Sequence, residues 1–419
     1  MKLSLINQKR ITAVTLDQAI LSATNFAITI MLIRHLSIES FGIYVIIFSF
    51  LMLANSVQTA LITAPIGVIV SKLDNNEAVQ YIKKLNPGQM ALSILIVLFF
   101  LILSSGSIIL KEYEEYQLPL FSAAIATFFY LGQLYLRSIM LSRLRMVDVL
   151  KNDLLYSIMQ IIFLFILITT DYISVEAAFF SIGISAAIAI IYGLFQCEEF
   201  IGMTKVKVLV GANENIEHGK WLLGNGLISW VRANIINFIT LYFIGPAAPA
   251  VLRAVQTIFG PINIILVGLE SIVPQFCSSV YSKSGINGFL HIFRMISISI
   301  FSMGSLYALI VSIFSYEILE VLFTIEYVEY EMIVWIVCIQ YLFIVLYTMN
   351  SIALRVLDRP KKIFNAIAIE AVLTIIPGFF LIQAYGIEGA VEWKLLSSII
   401  NSMIIFYFYK KTKRELVSI

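Results

Sequence analysis

Apolar runs of about twenty residues recur along the whole 419-residue chain, and no other feature constrains its fold as tightly. A helix rising 1.5 Å per residue needs about 20 residues to cross roughly 30 Å of hydrocarbon. Membrane strands would be about half that length and would alternate in polarity, so the runs predict helices. Composition agrees, with 60% hydrophobic and only 13% charged residues, where a soluble domain carries about 25% charge. Mean hydropathy is +0.93. The expected fold class is an all-α integral membrane protein with about twelve transmembrane helices. Their approximate ranges are 12–33, 41–66, 88–110, 117–138, 154–170, 174–195, 221–244, 250–275, 291–315, 330–350, 363–384 and 387–408. The longest connection, 196–220, is too short to hold a separate soluble domain.

Lysine and arginine fall mainly at alternate ends of these spans. With a cytoplasmic N-terminus, the inner segments collect Lys2, Lys9 and Arg10, then Lys72, Lys83 and Lys84, then Arg137, Arg143, Arg145 and Lys151. Further along they collect Lys205, Lys207 and Lys220, then Lys283 and Arg294, and finally two basic groups at 355–362 and 410–414. Outer segments hold only Arg34 and Lys111, and carboxylates gather there at 112–115 and 317–331. The positive-inside rule therefore predicts two cytoplasmic termini. The basic start MKLSLINQKRITAVTLDQ leads into a run interrupted by Asp17 and Gln18, which reads as a retained first span rather than a signal peptide.

A faint repeat divides the spans into two sets of six. Asn25-Phe26 is followed by Pro65, and Asn237-Phe238 by Pro274, at similar intervals. Equal span numbers on either side of 196–220 predict two lobes in the same orientation, 1–205 and 206–419.

The chemistry is concentrated in polar residues at helical spacing. Gln18, Ser22, Asn25 and Thr29 share one face of the first span, with Asp17 beside them. Asn225, Ser229 and Arg232 share a face of the seventh, and Arg253, Gln256, Gly260 and Asn263 a face of the eighth. Small polar residues alone serve as glue between helices, at about 0.6 kcal/mol for each bond. A mid-span arginine is different. On insertion scales it costs about 2.5–3.5 kcal/mol, so Arg232 and Arg253 are expected to face a hydrated cavity or a partner. Asp17 and Glu370 are candidate proton or sodium sites, against the alternative of a carboxylate favoured by its position at a helix end. Lys394 and Glu392 read as interfacial, and Glu270 as either interfacial or paired with a loop cation. Pro261 after Gly260, and Pro377 before Gly378, are candidate hinges, because a proline frees a carbonyl and bends a helix.

Other chemistry is not suggested. Cys197, Cys277 and Cys338 have no metal-ligand spacing, and His35, His218 and His291 are scattered, so no metal or cofactor is expected. No glycine loop ends in Lys-Ser or Lys-Thr as a nucleotide site requires.

The stretch DQAILSATNFAITIMLIRHLSIESFGIYVIIFSF, running on to the ITAP that ends at Pro65, resembles the opening of the oligosaccharide and polysaccharide (O-antigen-type) flippases. Their superfamily also holds the multidrug and toxin extruders and the lipid II flippase. GKWLLGNGLISW, IGPAAPAVLRAVQTIFGPINIILVGLESIVP and the middle segment YLRSIMLSRLRMVDVLKNDLLYS extend the likeness over most of the chain. The resemblance implies a MATE-like, V-shaped pair of six-helix lobes around a central cavity, in the bacterial plasma (inner) membrane. It implies alternating-access translocation of an undecaprenyl-pyrophosphate-linked oligosaccharide from the inner to the outer leaflet. It places Arg232 and Arg253 where cavity cations meet the anionic headgroup, and Asp17 at the family's acidic first-span position. Membrane lipid and polysaccharide-assembly proteins would be its partners, and nucleic acid would not.

The residues support that reading in one respect. Arginine is permanently charged and can hold two phosphate oxygens at once, while the Asn, Gln, Ser and Thr stripes suit sugar hydroxyls. The chief alternative is a multidrug extruder of the same fold, whose cationic cargo calls for an acidic cavity. A membrane glycan polymerase or ligase is a weaker alternative, because the short outer loops hold no constellation of acid, base and nucleophile. The chain is therefore not expected to be an enzyme.

Overall fold

The computed structural model describes residues 2–109, 111–197, 202 and 208–417; of these, the side chains of 2–11, 108, 109, 111–113, 208–218, 271 and 417 are left aside. Lys205, Lys207 and the 205/206 boundary lie outside the described residues. Every element among those described is helical. The chain forms a multi-pass membrane protein, with ten helical stretches long and apolar enough to cross a bilayer.

The first seven α-helices are α1 (Lys2–His35), α2 (Ile38–Gln58), α3 (Ala64–Ile69), α4 (Asn75–Ile109), α5 (Gln117–Ser142), α6 (Met146–Thr169) and α7 (Val175–Gln196). There follow α8 (Val208–Ile244), α9 (Ala247–Ile258), α10 (Gly260–Ile313), α11 (Ser315–Leu322), α12 (Glu331–Val356) and α13 (Pro360–Val417). Two of them, α10 with 54 residues and α13 with 58, are too long for one crossing. Each breaks at a glycine of positive φ, Gly285 (φ 64°, ψ −165°) in α10 and Gly386 (φ 61°, ψ −128°) in α13. A Cβ at such a φ crowds the following carbonyl, which is why glycine stands there. Divided at these two residues, the ten stretches give twelve crossings.

Short turns reverse the chain elsewhere. Leu144, Asp171 and Asp358 all have positive φ. In each case the next N–H bonds to a carbonyl five residues back: Arg145 to Met140, Tyr172 to Leu167 and Arg359 to Leu354, at 2.8–2.9 Å. This is a left-handed helix cap that consumes carbonyls otherwise left open. Serine side chains cap two helix starts, Ser37 accepting from the Ser40 N–H and Ser174 from the Ala177 N–H.

The chain divides into two compact units, Met1–Ile235 and Ile236–Ile419. In unit 1, α5 packs against α4 and α7, and α6 against α1 and α7. Small residues let α5 and α7 approach closely: a Cβ on Gly183 would lie 3.1 Å from the Ala126 Cα, and Ala123, Ala126, Ser185 and Ala186 are fully buried. The early part of α8 belongs to this unit. The Trp230 indole donates to the Ser49 carbonyl at 2.7 Å, and Gly219 lies so close to the Ala60 carbonyl that any Cβ would overlap it. In unit 2, α12 packs against α10 and α13, and the two arms of α13 meet where Gly378 lies against the Trp393 ring.

Two expected spans differ in detail. The 41–66 span runs from Ile38 to Lys72 and contains a π-helical turn at Thr59–Thr63, where the Ala64 N–H reaches the Thr59 carbonyl. The 250–275 span is two helices, because Phe259 (φ −86°, ψ 7°) leaves the helical region and α10 restarts beyond it. Pro261 therefore occupies a first helical turn, where a missing N–H is harmless. Pro377 lies inside α13.

Candidate functional site

The residues singled out in the sequence fall into two environments. On α1, Gln18 and Asn25 are exposed and Ser22 half-buried, while Thr29 is buried and bonds back to the Asn25 carbonyl. On α8, Asn225, Ser229 and Arg232 are all exposed. On α9, Arg253 is the exposed residue in a run from Ala248 to Phe259 that is otherwise buried, apart from half-buried Gln256. A short amphipathic helix embedded in apolar packing thus presents a guanidinium on its open side. Asn263 donates to the Tyr341 hydroxyl at 2.8 Å, and the Tyr341 ring stacks on Phe259 with centroids 4.2 Å apart.

Asp17 faces elsewhere. Its side chain is buried with Ala13, Thr24 and Ile28, on the side of α1 away from exposed Gln18 and Asn25. The Arg137 guanidinium of α5 reaches it, Nη2 lying 2.7 Å from Asp17 Oδ2, while Arg137 Nε lies 2.5 Å from Asp153 Oδ2 of α6. Gln133, one turn earlier on α5, donates to Asp153 Oδ1 at 2.8 Å and to Asn152 Oδ1 at 3.2 Å. Asn152 in turn donates to the Ala189 carbonyl of α7 at 2.7 Å. One polar network therefore ties α1, α5, α6 and α7 together. Its carboxylates are only 2–3% exposed and its guanidinium 19%.

Both oxygens of Asp153 are bonded, but Asp17 Oδ1 is buried with no hydrogen-bond partner. Two carboxylates share one guanidinium in this network. Removing charge from water costs several kcal/mol per ion, and only a fully matched set recovers it.

Arg137 had been expected among the cations of an inner loop, but it lies within a helix and is largely buried. Asp153 had not been singled out at all. A signal for both existed. Arg137 and the Asn152-Asp153 pair stand at nearly equal distances on either side of the turn at Leu144, which places them together in an antiparallel helix pair.

Unit 2 holds a buried carboxylate of its own, Glu370. Glu370 accepts from the Thr374 hydroxyl at 3.1 Å, and the Ser397 hydroxyl donates to Thr374 at 3.1 Å. Glu270 pairs with Arg355 at 3.5 Å, as expected of it. Lys394 lies half-buried in the second arm of α13, where its carbonyl accepts from the Ser398 hydroxyl at 2.8 Å. No cluster of three metal-ligating side chains occurs among the described residues.

No protein-family model and no curated protein matches this sequence. Solved structures do match in shape. A multidrug resistance MATE family transporter of the MOP superfamily, in an inward-facing conformation, superposes with a TM-score of 0.72 at 11% identity, covering 98% of this chain and 99% of that one. The fold is that of the MATE transporters. The lipid II flippase MurJ, in an inward closed conformation, gives a TM-score of 0.67 at 15% identity, covering 97% of this chain and 89% of its own. A MOP superfamily transporter from Pyrococcus furiosus gives 0.56 at 10% identity, covering 98% and 96%. These neighbours are transporters and a flippase rather than enzymes.

Proposed function

We propose that this chain is a membrane flippase. It would carry an undecaprenyl-pyrophosphate-linked oligosaccharide from the inner to the outer leaflet by alternating access between two six-helix lobes, 1–205 and 206–419. The observation that supports this best is the exposure of Arg232 and Arg253 in helical stretches, 221–244 and 247–258, that carry no other charged residue. Each has polar residues one turn away, Ser229 beside Arg232 and Gln256 beside Arg253, suited to sugar hydroxyls. A pyrophosphate diester must carry its charge across a low-dielectric slab, and guanidinium is the side chain best shaped to accompany it. The lipid II flippase MurJ shares the fold. The Pyrococcus furiosus transporter is described as having a binding pocket of reverse polarity that suggests a different function. The fold therefore does not fix the sign of the cargo's charge.

Energy for the cycle is proposed to enter as one proton or small cation at Asp17, with Glu370 as the corresponding carboxylate of unit 2. Arg137 would hold Asp153 and Asp17 together, leaving Asp17 Oδ1 as the acceptor. In this reading the protein resides in the bacterial inner membrane with both termini cytoplasmic, and glycan-assembly proteins supply its substrate.

The test is flipping of a fluorescent polyprenyl-pyrophosphoryl oligosaccharide in proteoliposomes, alongside export of a cationic dye. Wild type should flip the lipid and leave the dye, while Arg232→Ala and Arg253→Ala each reduce flipping at normal protein levels. Dye export with no lipid flipping would instead support the multidrug extruder.

A further inference from the structure

Both units carry basic residues at their helix turns, but they use them differently. In unit 1 the arginines of the α5–α6 turn are consumed internally. Arg137 lies between two aspartates, Arg145 pairs with Asp148, and Arg143 donates to Asn75 Oδ1 and to the Leu73 carbonyl. In unit 2 the α12–α13 turn carries Arg355, Arg359, Lys361 and Lys362, and the end of α13 carries Lys410, Lys411, Lys413 and Arg414. Lys362 joins the two segments, donating to Thr412 Oγ1 at 2.8 Å and lying 3.5 Å from Glu415 Oε2. All of these cations except Lys362 are exposed; Arg355 pairs with Glu270 at 3.5 Å, Arg359 donates to the Asp358 carbonyl, Lys410 lies over the Phe406 ring, and the carboxylates within the two segments are Asp358 and Glu415.

Aromatic side chains mark the depth of this patch. Phe364 is 71% exposed, Phe406 50% and Tyr407 61%, each within about a turn of the cations on the side toward the apolar span. Tyrosine, with an apolar ring and a polar tip, is enriched at the boundary between hydrocarbon and headgroups, and Tyr407 is the ring of that kind here. With that ring at the boundary, the cations beyond it would stand at the depth of lipid phosphates.

We propose that this end of unit 2 is a binding site for anionic phospholipids. The cations would bond to headgroup phosphates, while the collar of Phe364, Phe406 and Tyr407 packs on the acyl chains below. A zwitterionic headgroup brings its own cation and gains little. An anionic one gains about fivefold in affinity for each basic residue near the surface. An acidic protein segment would match the charge but would not use the aromatic collar.

The full-length protein in detergent is titrated with phosphatidylglycerol or phosphatidylcholine of matched chain length, and retained lipid is counted by native mass spectrometry. Wild type should retain phosphatidylglycerol at least about tenfold better. K410Q/K411Q/K413Q should abolish that preference, whereas K83Q/K84Q in unit 1 should keep it. Equal retention of the two lipids by wild type, an unchanged preference in the triple variant, or equal loss in the unit 1 control would overturn the site. Should the triple variant aggregate, wild type at high salt decides the matter: loss of the preference supports the site and persistence overturns it. Binding of polyglutamate without a phosphatidylglycerol preference would also overturn it.

Discussion

Arg137 lies between Asp17 and Asp153 with 19% of its side chain exposed, whereas Arg232 and Arg253 are classed as exposed. The same guanidinium is a buried fastener in the first setting and lies at the surface in the second. Arg137→Ala should therefore act on stability, because it leaves two buried carboxylates facing each other. The expected loss is about 3–5 kcal/mol, read as a lower unfolding temperature in detergent, and adding Asp17→Asn should recover part of it. A second variant without recovery would mean that the two carboxylates do not repel. For Arg232 the informative change is to lysine. Charge is kept but the two-pronged bond to phosphate is lost, so flipping should fall between wild type and Arg232→Ala. Asp17→Asn alone should flatten the dependence of transport on proton or sodium gradients while leaving headgroup binding intact; an unchanged gradient dependence would remove Asp17 from the coupling scheme.

The helices owe their existence to hydrocarbon, where every backbone group must be satisfied within the segment. Their ends and contacts rest on particular residues. Gly386 has positive φ and open surroundings, with Ile244 Cδ1 at 3.8 Å from a Cβ placed there. Gly386→Ala should therefore cost only the backbone strain, about 1–2 kcal/mol. Gly378 has an ordinary backbone but lies against the Trp393 ring, which is itself 5% exposed. Gly378→Ala must push that ring aside, so its loss of thermal stability should exceed that of Gly386→Ala. Equal losses would mean that the two arms of α13 separate easily. The π-helical turn at Thr59–Thr63 belongs to this scale too: Gly219→Ala should disturb it through the Ala60 carbonyl, with loss of folded protein as the readout.

At the scale of the whole molecule, identities of 10–15% accompany TM-scores from 0.56 to 0.72 over nearly the full chain. This fold therefore persists although most positions differ. Topology can be checked directly. Cys197, Cys277 and Cys338 are buried, so single cysteines placed at exposed Glu326 and Lys411 can be labelled against a quiet background. In intact cells an impermeant maleimide should reach Glu326→Cys and not Lys411→Cys. The reverse pattern would invert the proposed orientation.

Span number and helical class were legible because the hydrophobic effect acts on composition averaged over twenty residues, which one sequence displays in full. The polar stripe Asn225, Ser229 and Arg232 of α8 is exposed along its length, but the α1 stripe is buried at Thr29 and the stripe from Arg253 to Asn263 is divided by the break at Phe259. What the sequence left open were contacts between helices. Whether Asp17 turns toward its neighbours Gln18 and Asn25 or toward α5 depends on where Arg137 lies, 120 residues away. The break at Phe259, the π-helical turn and the Asp17–Arg137–Asp153 network all arise from packing between distant segments. Only the tertiary structure decides which polar groups are buried against one another and which lie at the surface.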